Sequence, residues 1–298
     1  MRRSCVKFDW GTKADGMCSV NVTPDSFSGD GVKNTKNGSL YIEAAVEQGI
    51  QMEKNGADIL DVGGESTRPG STPVSLDEEL ARVIPVIERL AKEVKIPLSI
   101  DTYKAEVARQ AICVIRQIRG EQEEVIINDV WGGRMDPGLL TVVADMGATV
   151  VLMHNRRKEK NVVLDGELGG RYEGIEYKEL IADIKRELGE QIEAALAAGI
   201  KKERIIIDPG FGYGKTVEQN IELLRRFDEL KSLAYPMLAG LSRKSFLGYP
   251  LNLPVGERLE VTLAAVTLCI QKGADIVRVH DVREVRRAAM LQDAIIRP

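Results

Sequence analysis

Only four cysteines occur in 298 residues, Cys5, Cys18, Cys113 and Cys269, and no two of them stand at C-x-x-C spacing. Cys113 and Cys269 fall inside helical patterns, so neither a disulfide framework nor a zinc site is expected, and reduced thiols of a cytoplasmic protein are the reading. No apolar run reaches the length of a membrane span. The start Met1-Arg2-Arg3-Ser4-Cys5 is basic but continues into Lys7, Asp9 and Lys13, so no signal peptide is expected. An excess of one charge is also lacking, since 41 basic and 45 acidic residues leave a net charge of −4. That argues against a general nucleic-acid or anionic-membrane surface and confines any anion site to a local pocket. Histidine is as scarce as tryptophan, with two residues, His154 and His280.

What is present is regular. A chain of this length with 44% hydrophobic residues can bury a large core, and one domain over 1–298 is expected. Short runs rich in Val, Ile and Leu predict strands at 17–21, 58–62, 97–101, 124–128, 149–153, 204–208, 237–240 and 275–279. They are too apolar for a sheet with one wet face, and amphipathic helices separate them, as a parallel sheet covered on its outside requires. In 77–94, Leu80, Val83, Ile84, Ile87, Leu90, Ala91 and Val94 share one helical face, with Pro85 expected to kink it. Ser75-x-x-Glu78, Thr216-x-x-Gln219 and Asp281-x-x-Glu284 predict capping boxes, and Asp136-Pro137 another helix start. Gly56-Ala57-Asp58, Gly147-Ala148-Thr149 and Gly273-Ala274-Asp275 repeat one helix-to-strand connection. Two stretches break the rhythm: 155–176, polar and glycine-containing, reads as a long loop, either a lid or disordered, and 116–124 as a charged surface extension.

Nearly every run ends in a side chain able to do chemistry: Asn21, Asp61, Asp101, Asn128, His154, Asp208, the triplet Ser242-Arg243-Lys244, and His280. The pattern predicts a (β/α)8 barrel, whose active site gathers at the carboxyl ends of its parallel strands. Asp208 at a buried strand end needs a donor-rich partner, either a ligand or an internal Arg or Lys. Arg278, inside Ile276-Val277-Arg278-Val279, should point into the barrel and needs an anion, internal or bound. Arg243 and Lys244, so close together at a strand terminus, are better explained by an electron-rich ligand than by solvent. Gly63-Gly64-Glu65-Ser66-Thr67-Arg68-Pro69-Gly70 pairs close backbone approach with a guanidinium fork. Pro209 and the spacing of Gly210, Gly212 and Gly214 argue against a P-loop or dinucleotide fingerprint. The two histidines, each directly after a strand, leave a structural role open.

Together these segments resemble the dihydropteroate synthase family over nearly the whole chain, from Asn21 to Asp281. The carriers are Asn21-Val22-Thr23-Pro24-Asp25-Ser26-Phe27-Ser28, the Gly63–Gly70 segment, Ile100-Asp101-Thr102-Tyr103, Ile127-Asn128-Asp129, Met153-His154-Asn155, Asp208-Pro209-Gly210-Phe211-Gly212, Ser242-Arg243-Lys244-Ser245-Phe246 and Arg278-Val279-His280-Asp281. The resemblance implies condensation of 6-hydroxymethyl-7,8-dihydropterin diphosphate with p-aminobenzoate, giving 7,8-dihydropteroate and pyrophosphate, with Mg2+ and in a homodimer. It assigns the pterin to Asp101, Asn128, Val130, Met153, Asp208, Tyr213, Gly240 and Lys244. The diphosphate falls to Asn21, Arg278 and His280, Asn21 acting through the metal. Phe27, Thr67, Arg68, Pro69 and Ser245 receive the aminobenzoate, and Lys244, Arg68 and Asp30 carry the catalytic roles. No nucleic-acid or membrane partner is implied.

The chain departs from the family where Ser28-Gly29-Asp30-Gly31 replaces Ser-Asp-Gly-Gly, which moves the loop carboxylate by one residue. Cys18-Ser19 follow Met17, Leu241 precedes Ser242, and Val261-Thr262 stands where Gly-Thr is common. A pterin-binding paralogue without synthase activity is therefore the alternative, with a related pterin methyltransferase as a third. The Ser-Thr-Arg-Pro and Ser-Arg-Lys-Ser stretches oppose that third reading.

Overall fold

The computed structural model describes residues 10–23, 38–66 and 72–297. The strands are β1 (Asp15–Asn21), β2 (Ile59–Gly63), β3 (Leu98–Asp101), β4 (Val125–Asp129), β5 (Thr149–Met153), β6 (Val162–Val163), β7 (Arg171–Tyr172), β8 (Ile205–Asp208), β9 (Leu238–Gly240) and β10 (Ile276–Val279). Helices α1 (Gly38–Lys54), α2 (Leu76–Glu93), α3 (Ala105–Arg119), α4 (Leu139–Met146), α5 (Leu180–Ala197), α6 (Val217–Arg225), α7 (Ser245–Gly248), α8 (Leu259–Gln271) and α9 (Val282–Ile296) lie between and after them. Eight strands pair in parallel in the order β8-β5-β4-β3-β2-β1-β10-β9, and a parallel bridge from Ile207 to Met237 joins the two ends. The expected barrel is formed, with most strand bounds within a residue of those read from the apolar runs.

Why those runs are continuous follows from the two cores. Met17, Ile59, Ile126, Val151, Ile206, Leu238 and Ile276 cluster inside the barrel. The alternating positions, such as Cys18, Leu60, Ile127, Val150, Ile207, Ala239 and Val277, belong to the larger core beneath the helices. Both faces of each strand are thus dry, and strict polar alternation is impossible. Towards the carboxyl ends the inward layer turns polar: Ser19, Asp61 and Ser99 stand in register on β1, β2 and β3 and are all buried.

At the helix ends the sequence expectations divide. Thr216 and Gln219 make the full reciprocal box at the start of α6. Ser75 Oγ accepts from Glu78 N at 3.2 Å, but the Glu78 carboxylate turns to Arg82, so only half of that box exists. Asp281 caps nothing with its side chain, because Arg243 holds its carboxylate. Asp136 precedes a turn rather than opening α4: Oδ1 accepts from Gly138 N at 2.9 Å and Oδ2 from Ala105 N at 2.8 Å, tying the turn to α3. Helix α2 runs unbroken through Pro85. Gly56, Gly147 and Gly273 adopt φ of 97°, 57° and 97°, so the repeated connection is real.

Two expectations need correction. The 116–124 stretch is a surface extension only at its exposed turn, 120–122; before it the Arg119 side chain is only 1% exposed and donates to the carbonyls of Leu90, Ala91, Val94 and Ile96. Arg119 thus serves the end of α2 and the turn that follows it, while Arg116 donates to Met146 O at the end of α4. The 155–176 stretch is not a featureless loop: it contains the antiparallel ribbon of β6 and β7 and docks on α7 and the segment around it. Ser245 Oγ donates to Gly170 O at 2.5 Å, Tyr249 OH to Gly169 O at 2.9 Å, and buried Arg258 Nη2 to Leu168 O at 2.8 Å.

Candidate active site

Parallel register carries the chemistry to one end. Asn21, Gly63, Asp101 and Asn128 form one row across β1 to β4, Met153 stands beside Asp208, and Arg278 beside Gly240. Val130 and Met153 are buried apolar neighbours at the same end.

Arg278 finds the anion it requires inside the barrel. Its Nε donates to Asp61 Oδ2 and its Nη2 to Asp101 Oδ2, each at 2.7 Å, and Asn128 Nδ2 reaches Asp61 Oδ2 at 3.0 Å. Asp61, fully buried, thus bridges the guanidinium and the carboxamide, which fixes both. Burial pushes Asp101 up to about 7, with Arg278 opposing and Asp61 reinforcing the shift.

Opposite this network stand Asp208 and Lys244. Asp208 Oδ1 accepts from Gly210 N at 2.7 Å rather than from an internal cation, and burial raises its pKa, with Lys244 opposing. Lys244 donates to Phe211 O and lies 4.9 Å above the Tyr213 ring; burial lowers its pKa to about 8, with Asp208 opposing. Gly240 keeps this corner open, since a Cβ there would stand 3.7 Å from Lys244 Nζ and 3.9 Å from Asp208 Oδ2. The loop between them needs glycine at 210, where φ is 68° and a Cβ would fall 2.0 Å from His154 O. A concave end with a carboxylate, an amine, a guanidinium, a carboxamide and an apolar floor suits a flat heterocycle rich in donors and acceptors.

At the rim, exposed His280 contacts Ser242 Oγ through Nδ1 at 3.0 Å, and Asn21 ends β1 half-buried. Ser245 begins α7, its hydroxyl directed at Gly170. Arg243 does not join the site: exposed, with φ of 56°, it pairs with Asp281 through Nε at 2.9 Å, so the ligand expected for both cations is needed only by Lys244. His154, which follows β5, turns away from the barrel interior into contact with α5 and Lys215. Phe27, Asp30, Thr67, Arg68 and Pro69 lie outside the described residues. Among the described residues no cluster of three or more His, Cys, Asp or Glu side chains could hold a metal ion. Two residues near the site have no role in the motif reading: Asp61, which anchors Arg278, and Lys215, which meets His154 behind the 210–213 loop.

The pterin binding enzyme family matches residues 17–280, nearly the whole barrel. The chain belongs to this family. Among pterin binding enzymes, it is 45% identical to the dihydropteroate synthase of Clostridium beijerinckii over 298 residues, all of both chains. It is 43% identical to that of Bacillus subtilis, covering 94% of this chain and 88% of the relative. A crystal structure of the Clostridium difficile dihydropteroate synthase in the presence of pteroic acid superposes with a TM-score of 0.84 at 45% identity, covering 98% of this chain and 100% of the other. The Xanthomonas albilineans dihydropteroate synthase in complex with 7,8-dihydropteroate gives a TM-score of 0.79 at 39% identity over 97% and 95% of the two chains.

Proposed function

We propose that the chain is a dihydropteroate synthase, a transferase of folate biosynthesis that joins 6-hydroxymethyl-7,8-dihydropterin diphosphate to p-aminobenzoate and releases pyrophosphate. The observation that carries the assignment of roles is the corner where Asp208, Gly240 and Lys244 converge at the strand ends. Asp208 accepts from the pterin ring N–H and exocyclic amine, a charge-assisted pair strengthened by its burial. Lys244 donates to the ring's acceptors, Asp101 and Asn128 read the remaining edge, and Val130, Met153 and Tyr213 bound its faces. Lys244, whose amine is pushed down towards neutrality by burial, can also give or take a proton near physiological pH.

Departure of pyrophosphate leaves a cationic methylene on the electron-rich dihydropterin, so no protein nucleophile is needed. Arg278 and His280 hold the diphosphate, and Arg278 is oriented for this by Asp61 and Asp101. Asn21 offers a single carboxamide oxygen, which suits a magnesium ion that takes its other ligands from phosphate and water. When bound, Mg2+ would neutralise charge on the departing group. Ser245 and the first amides of α7 receive the aminobenzoate carboxylate, Ser245 by exchanging its bond to Gly170. Arg68, Phe27, Thr67, Pro69 and Asp30 complete that half of the site from the loops. A homodimer is supported by the apolar side chains exposed on α9, and a cytoplasmic location by the free thiols of Cys18, Cys113 and Cys269. No helix among the described residues is long and apolar enough to cross a membrane.

The test is turnover. Purified protein given the pterin diphosphate, p-aminobenzoate and Mg2+ should form dihydropteroate with stoichiometric pyrophosphate. Absence of product would refute the synthase reading, and tight calorimetric binding of the pterin without product would leave the non-catalytic paralogue.

A further inference from the structure

Behind the loop that follows β8 lies a polar chain that the proposed reaction does not use. Lys215 is 1% exposed and His154 fully buried, an expensive arrangement unless each polar atom is answered. Each is. Glu187 on α5 meets His154 Nε2 at 3.0 Å through Oε2, and Arg156 pairs with the other carboxylate oxygen. Against the opposing effect of burial, hydrogen bonds from His154 and Arg156 keep Glu187 well below the usual carboxylate range, so it is ionised and places the imidazole proton on Nε2. Burial and the nearby Lys215 hold His154 neutral, its pKa lowered to about 3, which leaves Nδ1 as an acceptor.

That acceptor faces Lys215 Nζ at 3.0 Å, and the same nitrogen reaches Gly210 O at 2.8 Å and Tyr213 O at 3.3 Å. An ammonium has three protons, and three acceptors surround it. Burial pushes the Lys215 pKa down to about 7, with the Asp208 carboxylate opposing. The charged groups facing it are Asp208, Lys244, Glu187 and Arg156.

The carbonyls in question belong to the loop whose other groups serve the site. Gly210 N donates to Asp208 Oδ1, Phe211 O accepts from Lys244, and the Tyr213 ring lies beneath the Lys244 amine. One lysine therefore grips the loop from behind while the other meets its front.

We propose that Lys215, oriented by the Glu187–His154 pair, is a positioning residue of the synthase reaction, fixing the 210–213 loop so that Asp208 and Lys244 engage the pterin in register. This rests on the synthase reading above. Lys215, in Gly214-Lys215-Thr216, thus acts inward on its own backbone.

Four proteins test it: wild type, Lys215→Met, His154→Leu and His154→Asn. The carboxamide oxygen of His154→Asn can replace Nδ1 as acceptor, whereas leucine cannot. Calorimetry with 6-hydroxymethyl-7,8-dihydropterin, steady-state turnover and thermal unfolding are measured on each. Lys215→Met and His154→Leu should lose about tenfold or more in pterin affinity and in kcat, the scale of one charged hydrogen bond. Their KM for p-aminobenzoate should change far less, and His154→Asn should recover most of the pterin affinity. The proposal is overturned if folded Lys215→Met binds pterin as wild type does, if only the melting temperature falls, or if His154→Asn is no better than His154→Leu. Should Lys215→Met fail to fold, the two His154 variants decide alone. A wild type that neither binds pterin nor turns over would refute the synthase reading itself, a result distinct from an active wild type with silent variants.

Discussion

Asp61, Asp101 and Asp208 are three strand carboxylates with three different surroundings, and the differences assign their work. Asp61 is spent on Arg278 and Asn128, Asp101 shares Arg278, and Asp208 has a backbone amide on one oxygen. A carboxylate committed to internal cations orients them, whereas one left facing an open corner can take a ligand's donors. Asp208→Asn keeps the volume while replacing the anion with an amide that also presents donors to donors. Its pterin affinity should fall by roughly ten- to a hundredfold, as expected for losing a bidentate charged hydrogen bond. Calorimetry with the pterin alone measures this, and an unchanged affinity would remove Asp208 from the recognition role. At this scale the sequence was informative about the residues pointing into the barrel, because strand-end position and charge are local. It was uninformative about Arg243 and His154, whose partners Asp281 and Lys215 lie 38 and 61 residues away.

Elements were legible where periodicity alone decides. Strands β1 to β5 and β8 to β10 could be read from apolar runs because both of their faces are dry. Charge-rich segments misled, since composition cannot distinguish a solvated arginine from one spent on backbone. Arg119 is the clearest case: it shares Leu90 O with Val94 N, while the carbonyls of Ala91, Val94 and Ile96, at the end of α2 and in the following turn, have no helical partners, and this one guanidinium from α3 supplies donors to all three. Arg119→Met retains the aliphatic stem but strands those carbonyls and Glu123. A destabilisation of about 2–4 kcal/mol is expected from buried polar groups left unpaired, read as a lower urea midpoint with an unchanged m-value. A cost below about 0.5 kcal/mol, the usual scatter for surface substitutions, would mean that water replaces the guanidinium. The 155–176 segment escaped sequence reading for a related reason: its docking on α7 runs through backbone carbonyls of Leu168, Gly169 and Gly170, which have no sequence signature.

For the whole molecule, the closed sheet accounts for burial nearly everywhere, yet α9 leaves Met290, Leu291 and Ile295 at 56%, 65% and 66% exposure. Apolar groups grouped on one helix face favour a second surface to cover them. The double variant Leu291→Glu and Ile295→Glu should shift sedimentation from dimer to monomer while the far-ultraviolet spectrum stays that of the wild type. A wild type that sediments as a monomer at micromolar concentration would dispose of the dimer.

The barrel's ladder is complete except between β8 and β9, where a single bridge from Ile207 to Met237 makes the join. Asp208 lies on one bank of that gap and Gly240, followed by Lys244, on the other. A ligand held by both banks supplies cross-links that the backbone does not, so closing the ring and filling the site become one equilibrium. By mass action, a substrate held by the proposed contacts to both banks would favour the joined ring and so serve as a structural member of the wall it binds to.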